Sequence, residues 1–255
     1  MARVEYIVED ALEYLRGLPS KSVDFAHLND AWARPQRSGG FGVNYRTHPF
    51  DEDDAELVEG EPRVDTNLTV VEFLDAVYDA LQPGGFLALD TDSYLISRAG
   101  SYFEKVWPGR CQFTYTVTSL TSDGVPDRST PGMYGSSGGY TILIAQKEAT
   151  PVPQSHPVGG RHTRGCPCER ERRDWEWGTV KPLAPYLDLI QEYTSPDSRI
   201  IEPCAGTAPA VIAAEREYGT DVDATAIDIE PDAKRAYERR REEELPRQTG
   251  IGEWG

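Results

Sequence analysis

The sequence predicts an α/β chain folded around one doubly wound sheet. Three observations carry this expectation. Strand-like and helix-like segments alternate in two blocks, on either side of residues 149–178. The second block holds a strand ending at an acid, "RIIEP", then a turn containing Gly206, then a helix, with a further strand ending at Asp228. The apolar stretch Val23 to Leu28 runs directly into an unusual cluster: Asn29, Asp30, Ala31 and Trp32.

Taken in order, a strand near Val4 to Val8 is followed by a short helix with Ala11, Leu12 and Leu15 on one face. Residues 23–28 form the next strand. Residues 34–65 are Gly-, Pro- and acid-rich, which reads as a long flap loop. Thr69 and Glu72 have capping-box spacing, with Asp65 or Thr66 as alternative caps, ahead of a helical stripe of Val70, Phe73, Leu74, Val77 and Leu81. "QPGG" ends that helix, "FLALDTD" is a strand, and residues 93–107 read as helical. Residues 112–120 and 140–146 read as an antiparallel pair around a Gly/Ser-rich connection. Residues 149–178 lack periodicity and read as a linker or inserted loop. A helix over 182–193, the strand at 199–203, a helix after Ala208, a strand at 222–227 and a charged helix after Pro231 complete the chain. The whole, residues 1–255, is expected to be a single domain.

Of the 255 residues, 43 are Asp or Glu against 26 Lys or Arg, a net charge of −17. Such a Lys-poor, acid-rich surface suits molar salt, where self-repulsion is screened, and points to a haloarchaeal or halophilic-virus source; an ordinary acidic protein is the alternative. The charge opposes binding to phosphates except through local Arg contacts, stacking and base hydrogen bonds. No apolar run is long enough to cross a bilayer and no signal peptide is evident, so no membrane is expected. Four cysteines without a disulfide-like framework fit a reducing cytoplasmic setting.

The strand–turn–helix at Glu202 to Ala208 with a second acid at Asp228 has the geometry of a nucleoside site. The turn exposes backbone N–H groups, and a strand-end acid can bind a ribose diol. A plain strand–turn–helix explains it equally well, since only Gly206 stands where a full motif has two glycines.

Three segments together resemble one family. "KPLAPYLDLIQEYTSPDSRIIEPCAGTAPAVIAAE" is similar to the K-P-x-x-L segment and D-P-F-x-G-x-G-x-T turn of DNA amino-methyltransferases. "SVDFAHLNDAW" is similar to their S-V-D-x-x-x-x-D-P-P-Y segment, and "ALQPGGFLAL" to their L-K-P-G-G strand entry. The base-gripping segment precedes the cofactor segment, as in the circularly permuted β class. The resemblance spans nearly all of the chain outside residues 34–65 and 150–175. It implies a Rossmann-like, S-adenosyl-L-methionine-dependent methyltransferase fold with a mixed seven-stranded sheet. The strand ending at Glu202 should then lie beside the strand ending at Leu28.

The resemblance also implies roles. Asn29 accepts a hydrogen bond from the exocyclic amine of a flipped base, a carbonyl of Asp30 or Ala31 accepts a second, and Trp32 stacks on the ring. Asp10, Lys181, Glu202, Cys204, Ala205, Gly206 and Asp228 surround the cofactor. The product is DNA methylated at adenine N6 or cytosine N4, as in restriction–modification, by a monomer or homodimer. The chain departs from the pattern where Asp30 and Ala31 replace two prolines, Glu202 replaces Asp, Cys204 replaces Phe, Ala208 replaces Gly and Ala210 replaces Thr. Ala208 permits close approach to a ligand only with a negative φ. An RNA methyltransferase, a cofactor-binding module without turnover and a structural protein on the same fold are the rival expectations.

Residues 156–173 raise two further candidates. His156, His162, Cys166 and Cys168 are zinc-capable, although the spacing is not that of a strong zinc motif. Arg161, Arg164, Arg170, Arg172 and Arg173 form the best local phosphate-contact cluster, or are salt-paired with Glu169 and Glu171.

Overall fold

The computed structural model describes residues 3–29, 70–91, 96, 99–100, 102–103, 107, 111–120, 123–125, 131–132, 135–136, 139–148, 163–167, 175, 177 and 180–245. The readings at Asp30, Ala31, Trp32, the 34–65 loop, His156, His162, Cys168, Arg161, Arg170, Arg172 and Arg173 lie outside these residues.

The described strands are β1 (Val4–Val8), β2 (Val23–Leu28), β3 (Leu81–Thr91), β4 (Cys111–Leu120), β5 (Pro131–Gly132), β6 (Gly135–Ser136), β7 (Gly139–Gln146), β8 (Thr163–Pro167), β9 (Arg199–Pro203) and β10 (Asp223–Asp228). The helices are α1 (Ala11–Gly17), α2 (Val70–Ala80), α3 (Leu183–Tyr193), α4 (Pro209–Tyr218) and α5 (Pro231–Glu244). Residues 96, 99–100 and 102–103 are also helical, as the sequence indicates for 93–107. One eight-stranded sheet runs β1-β10-β9-β2-β3-β7-β4-β8, and β5 pairs with β6 apart from it. The strands from β1 to β3 are parallel; β7 runs against both β3 and β4.

The sheet is mixed, as expected, but has eight strands rather than seven. The additional one is β8, parallel to β4 at the sheet edge, within the stretch read as a linker or loop. Five residues carrying a Gly and ending in a Pro offer no alternating pattern to read. Side-chain ties hold β8 in place: Arg164 donates to Asp188 of α3 at 2.5 Å, and Tyr115 of β4 donates to the same carboxylate at 2.6 Å.

Strand periodicity explains why the sheet is covered on both faces. Phe25, Ile200, Ala224 and Ala88 point into one core, with α3, α4 and α5. Their neighbours Ala26, Ile201, Ile227 and Leu87 point into another, with α1 and α2. Each of these strands therefore buries both its odd and even positions, the mark of a central parallel strand.

β2 and β9 are direct neighbours, pairing Phe25 with Ile200 and Ala26 with Ile201. Asp24 fastens the start of this pairing by accepting the Arg199 N–H at 2.7 Å, and Gln82 from β3 bonds the same carboxylate. β1 pairs with β10, so the first and last strands of the described chain lie side by side. Among the described residues, no helix is long and apolar enough to cross a membrane.

Candidate cofactor and base crevice

The β2–β9 pairing brings the carboxyl ends of two strands 175 residues apart in sequence into one place, as the 2.7 Å contact between His27 and Glu202 shows. Asn29 follows β2 directly and is buried. The turn Cys204 to Ala208 follows β9, and Asp228 ends β10 on its other side. Asp10 lies just beyond β1, the next strand over. Asn29, the turn, Asp228 and Asp10 thus gather at the strand ends where the order of connection reverses, the usual place for a ligand in an open α/β sheet.

The turn is tightly specified. Cys204, Gly206 and Ala208 have φ of 54°, 54° and 48°. Left-handed backbone is natural for Gly206 and costs about 1–2 kcal/mol at each of the other two. The negative φ on which close approach to Ala208 depends is therefore not found: the turn reverses there to start α4, and the methyl is fully buried. Gly206 is gripped from two sides. Its N–H donates to Asp228 Oδ2 at 2.8 Å, and its carbonyl accepts from the Tyr6 hydroxyl at 2.8 Å. A Cβ at this position would stand 3.1 Å from the Trp177 indole nitrogen, so the bare backbone faces that ring. Thr207 accepts from the buried Arg240, which also lies over the Trp175 ring. The residues just ahead of Lys181 thus cover the turn; their reading as part of a linker missed this.

Asp228 is nearly buried, and its second oxygen accepts from the Glu230 N–H at 3.0 Å. Burial raises its pKa, while the N–H groups of Glu230, Gly206 and Ile229 pull the other way. Beside it two apolar side chains are open to solvent, Ile229 at 63% and Val8 at 41%. An apolar shelf next to a strand-end acid matches the two halves of a nucleoside. Asp10 caps α1, accepting from the N–H groups of Leu12 and Glu13 at 2.9 Å each; a cap of this kind contributes about 1 kcal/mol. It is also close enough to Cys204 to act on it. Burial first, then the charges of Asp228 and Asp10, push that thiol well above its ordinary range, which disfavours the nucleophilic thiolate.

Glu202 and Lys181 are turned inward. Glu202 is fully buried, with one oxygen 2.7 Å from His27 Nδ1 and the other accepting the Val211 N–H of α4 at 2.9 Å. On the far side of His27, Nε2 stands 3.3 Å from Asp90 Oδ1 of β3, an ion-pair separation rather than an aligned hydrogen bond. Lys181 Nζ is 3.3 Å from the other Asp90 oxygen and lies over the Tyr140 ring. Tyr186 of α3 donates to Asp90 at 2.8–2.9 Å and packs on the His27 ring. Burial alone would lower the His27 pKa; Asp90 and Glu202 overcome it and hold the value at about 9. Burial would raise Asp90, but Lys181 and His27 bring it down to about 2. Two anions and two cations balance beneath the crevice.

Sequence reasoning missed His27, Asp90, Tyr186 and Tyr6. A signal was present: His27, Glu202 and Asp90 each lie two residues beyond an apolar residue of the same core, Phe25, Ile200 and Ala88. Period two therefore places all three on one sheet face. Of the proposed phosphate contacts, Arg164 is committed to Asp188. Of the zinc-capable residues, Cys166 is buried on β8 and in no disulfide; among the described residues no metal-ligand cluster occurs.

No family model matches the chain, and no curated protein matches it in sequence. Solved structures do match. The M1.HpyAVI–SAM complex superposes with a TM-score of 0.62 at 13% identity, covering 92% of this chain and 98% of that one. TTHA0409 of Thermus thermophilus, assigned as a DNA modification methylase and complexed with S-adenosyl-L-methionine, gives 0.56 at 18% identity, covering 96% and 95%. The cytosine-N4-specific PvuII DNA methyltransferase gives 0.59 at 12% identity, covering 94% and 90%. At these identities the likeness is one of fold, and it extends over almost the whole length of each partner.

Two outcomes follow from the site. Gly206→Ala lowers stability by about 2 kcal/mol, from the left-handed backbone and the Trp177 contact together. In a Trp177→Ala background the loss falls to about 1 kcal/mol; chemical denaturation of the four proteins measures both. His27 gains its proton more readily folded than unfolded, so its contribution is complete below about pH 6.5 and declines until pH 9. Denaturation midpoints should fall steadily across that window, and a flat profile there contradicts the assignment of a charged His27.

Proposed function

We propose that the chain is an S-adenosyl-L-methionine-dependent methyltransferase acting on an exocyclic amine of DNA, adenine N6 or cytosine N4. The observation that carries this reading is the meeting of Asn29 with the Gly206 turn and Asp228 at one switch point, in a fold shared with DNA methyltransferases. The adjacency of β1 and β10 supports the permuted order, because a sheet that joins its own chain ends can be opened at another place without changing its core.

The residues fit the cofactor. Asp228 offers a carboxylate to a ribose diol, and Ile229 and Val8 offer an apolar shelf to the adenine. When bound, the cofactor supplies a methyl group on a sulfonium, electrophilic enough to need no metal. The chain's own part is positioning. Asn29 accepts one amine hydrogen, the carbonyl of Asp30 or Ala31 accepts the other, and together they draw the nitrogen lone pair away from the ring. Trp32 stacks on the flipped base, and Asp30 is placed in sequence to take the released proton. Glu202 and Lys181 act from below, through the buried ion cluster.

On the same reading the protein works in the cytoplasm of a salt-adapted host or its virus, as the modification half of a restriction–modification pair. Arg161, Arg170, Arg172 and Arg173 are the phosphate contacts, and assembly is monomeric or homodimeric. A second reading, a cofactor-binding module without turnover, draws support from the strained Ala208 and the inward Glu202.

The test is transfer of tritiated methyl groups to unmethylated DNA in high salt. Wild type should label DNA, and Asn29→Ala should lose about a hundredfold of the rate while binding S-adenosyl-L-methionine with unchanged heat. Equal labelling by the two proteins overturns the role of Asn29. Binding without any labelling by wild type favours the second reading, and absence of both heat and label ends the proposal. RNA in place of DNA tests the nucleic-acid preference.

A further inference from the structure

His27 stands one residue before the end of β2 and two before Asn29, with a ring that solvent does not reach. Its flanking partners come from different strands: Glu202 from β9 and Asp90 from β3. Among the described residues, the other groups facing this cluster are Lys181 and Tyr186, from the start of α3 and its approach, Tyr140 of β7, whose hydroxyl is 3.2 Å from that of Tyr186, and, on the Glu202 side, Tyr6 and Tyr237. A carboxylate only accepts hydrogen bonds, so an imidazole between two of them is best matched when both nitrogens carry protons. The contacts then form a continuous path. The α4 N-terminus is held by Glu202 through Val211, Glu202 by His27, and His27 by Asp90, which Tyr186 and Lys181 fix in turn.

We infer that His27 is a positioning residue, whose charged ring locks the cofactor turn after β9 and the base-gripping end of β2 in one register. This rests on the function proposed above. It also explains a departure from the family pattern. A Glu at 202 has the reach both to cap α4 and to meet His27, so the longer acid and the histidine form a matched pair. Neither residue touches substrate; each acts through the backbone it fastens. The direction of the His27 titration, with its proton held to about pH 9, agrees with this geometry.

The 255-residue chain has four histidines, which makes selective ¹⁵N-histidine NMR practical. At pH 8 one histidine should retain protons on both ring nitrogens, and His27→Gln should remove that signal. A neutral His27 at pH 7.5 overturns the inference. The functional arm uses His27→Gln, which leaves two carboxylates and one cation in the cluster, and His27→Gln with Glu202→Gln, which restores charge balance and keeps an acceptor for the Val211 N–H. Methyl transfer by the single variant should fall about tenfold or more, and the second substitution should recover most of that loss. If the single variant does not fold, the double variant carries the test through its pH profile. S-adenosylhomocysteine is the calorimetric probe, and its own amine titrates equally against every protein. Wild type should therefore lose additional affinity between pH 8 and 10 that the double variant does not. Superimposable profiles, or a single variant as active as wild type, overturn the positioning role and leave the proposed function standing. Wild type that neither binds the probe nor transfers methyl groups removes the proposed function, and this inference with it.

Discussion

The parallel pairing of β2 with β9 is the constraint on which the rest of the structure depends. It is a short contact, Phe25 on Ile200 and Ala26 on Ile201, but it sets where two distant segments of chain end. Because parallel strands share a direction, their carboxyl ends open on the same edge of the sheet. Asn29 and the Gly206 turn are neighbours for that reason alone, whatever separates them in sequence. The chain moves away from this line on both sides, through α4 to β10 on one and through α2 to β3 on the other, which makes it the switch point of the sheet.

The pairing is secured at both ends by charge. At its start Asp24 accepts the Arg199 N–H. At its end His27 bridges Glu202 and Asp90 with no access to water. Burying such groups is costly, and an apolar trio of similar volume could give equal or greater stability. What the ion cluster adds is direction: its contacts are met in one strand register and lost in others. The same logic applies to the turn, where Tyr6 and Asp228 hold the Gly206 peptide by its carbonyl and its N–H. Strain at Cys204 and Ala208 is sustained by this surrounding grip.

Much of this was legible in the sequence, for identifiable reasons. The faces of α1 and α2 could be read because Leu12, Leu15, Leu74 and Val77 recur at helical spacing and are buried as that spacing requires. The neighbouring positions of β2 and β9 followed from the resemblance, not from periodicity. β8 was not legible because five residues at a sheet edge, tied by Arg164 and Asp188, carry no pattern of their own. His27 and Asp90 went unnoticed because each, met singly, is one ionisable residue in an apolar run. Period two puts each on the side of its own strand's core residue, and the sheet order brings both together with Glu202. Trp177 was passed over as part of a loop, since nothing local shows that it packs against a glycine 29 positions later.

In the function proposed above, one crevice holds a nucleoside-bearing methyl donor against Asn29. A crystal structure of the chain with S-adenosylhomocysteine measures this most directly. The proposed site puts the ribose at Asp228, the adenine against Ile229, and the sulfur on the side facing Asn29. A ligand seated elsewhere, or one whose sulfur points away from Asn29, contradicts it.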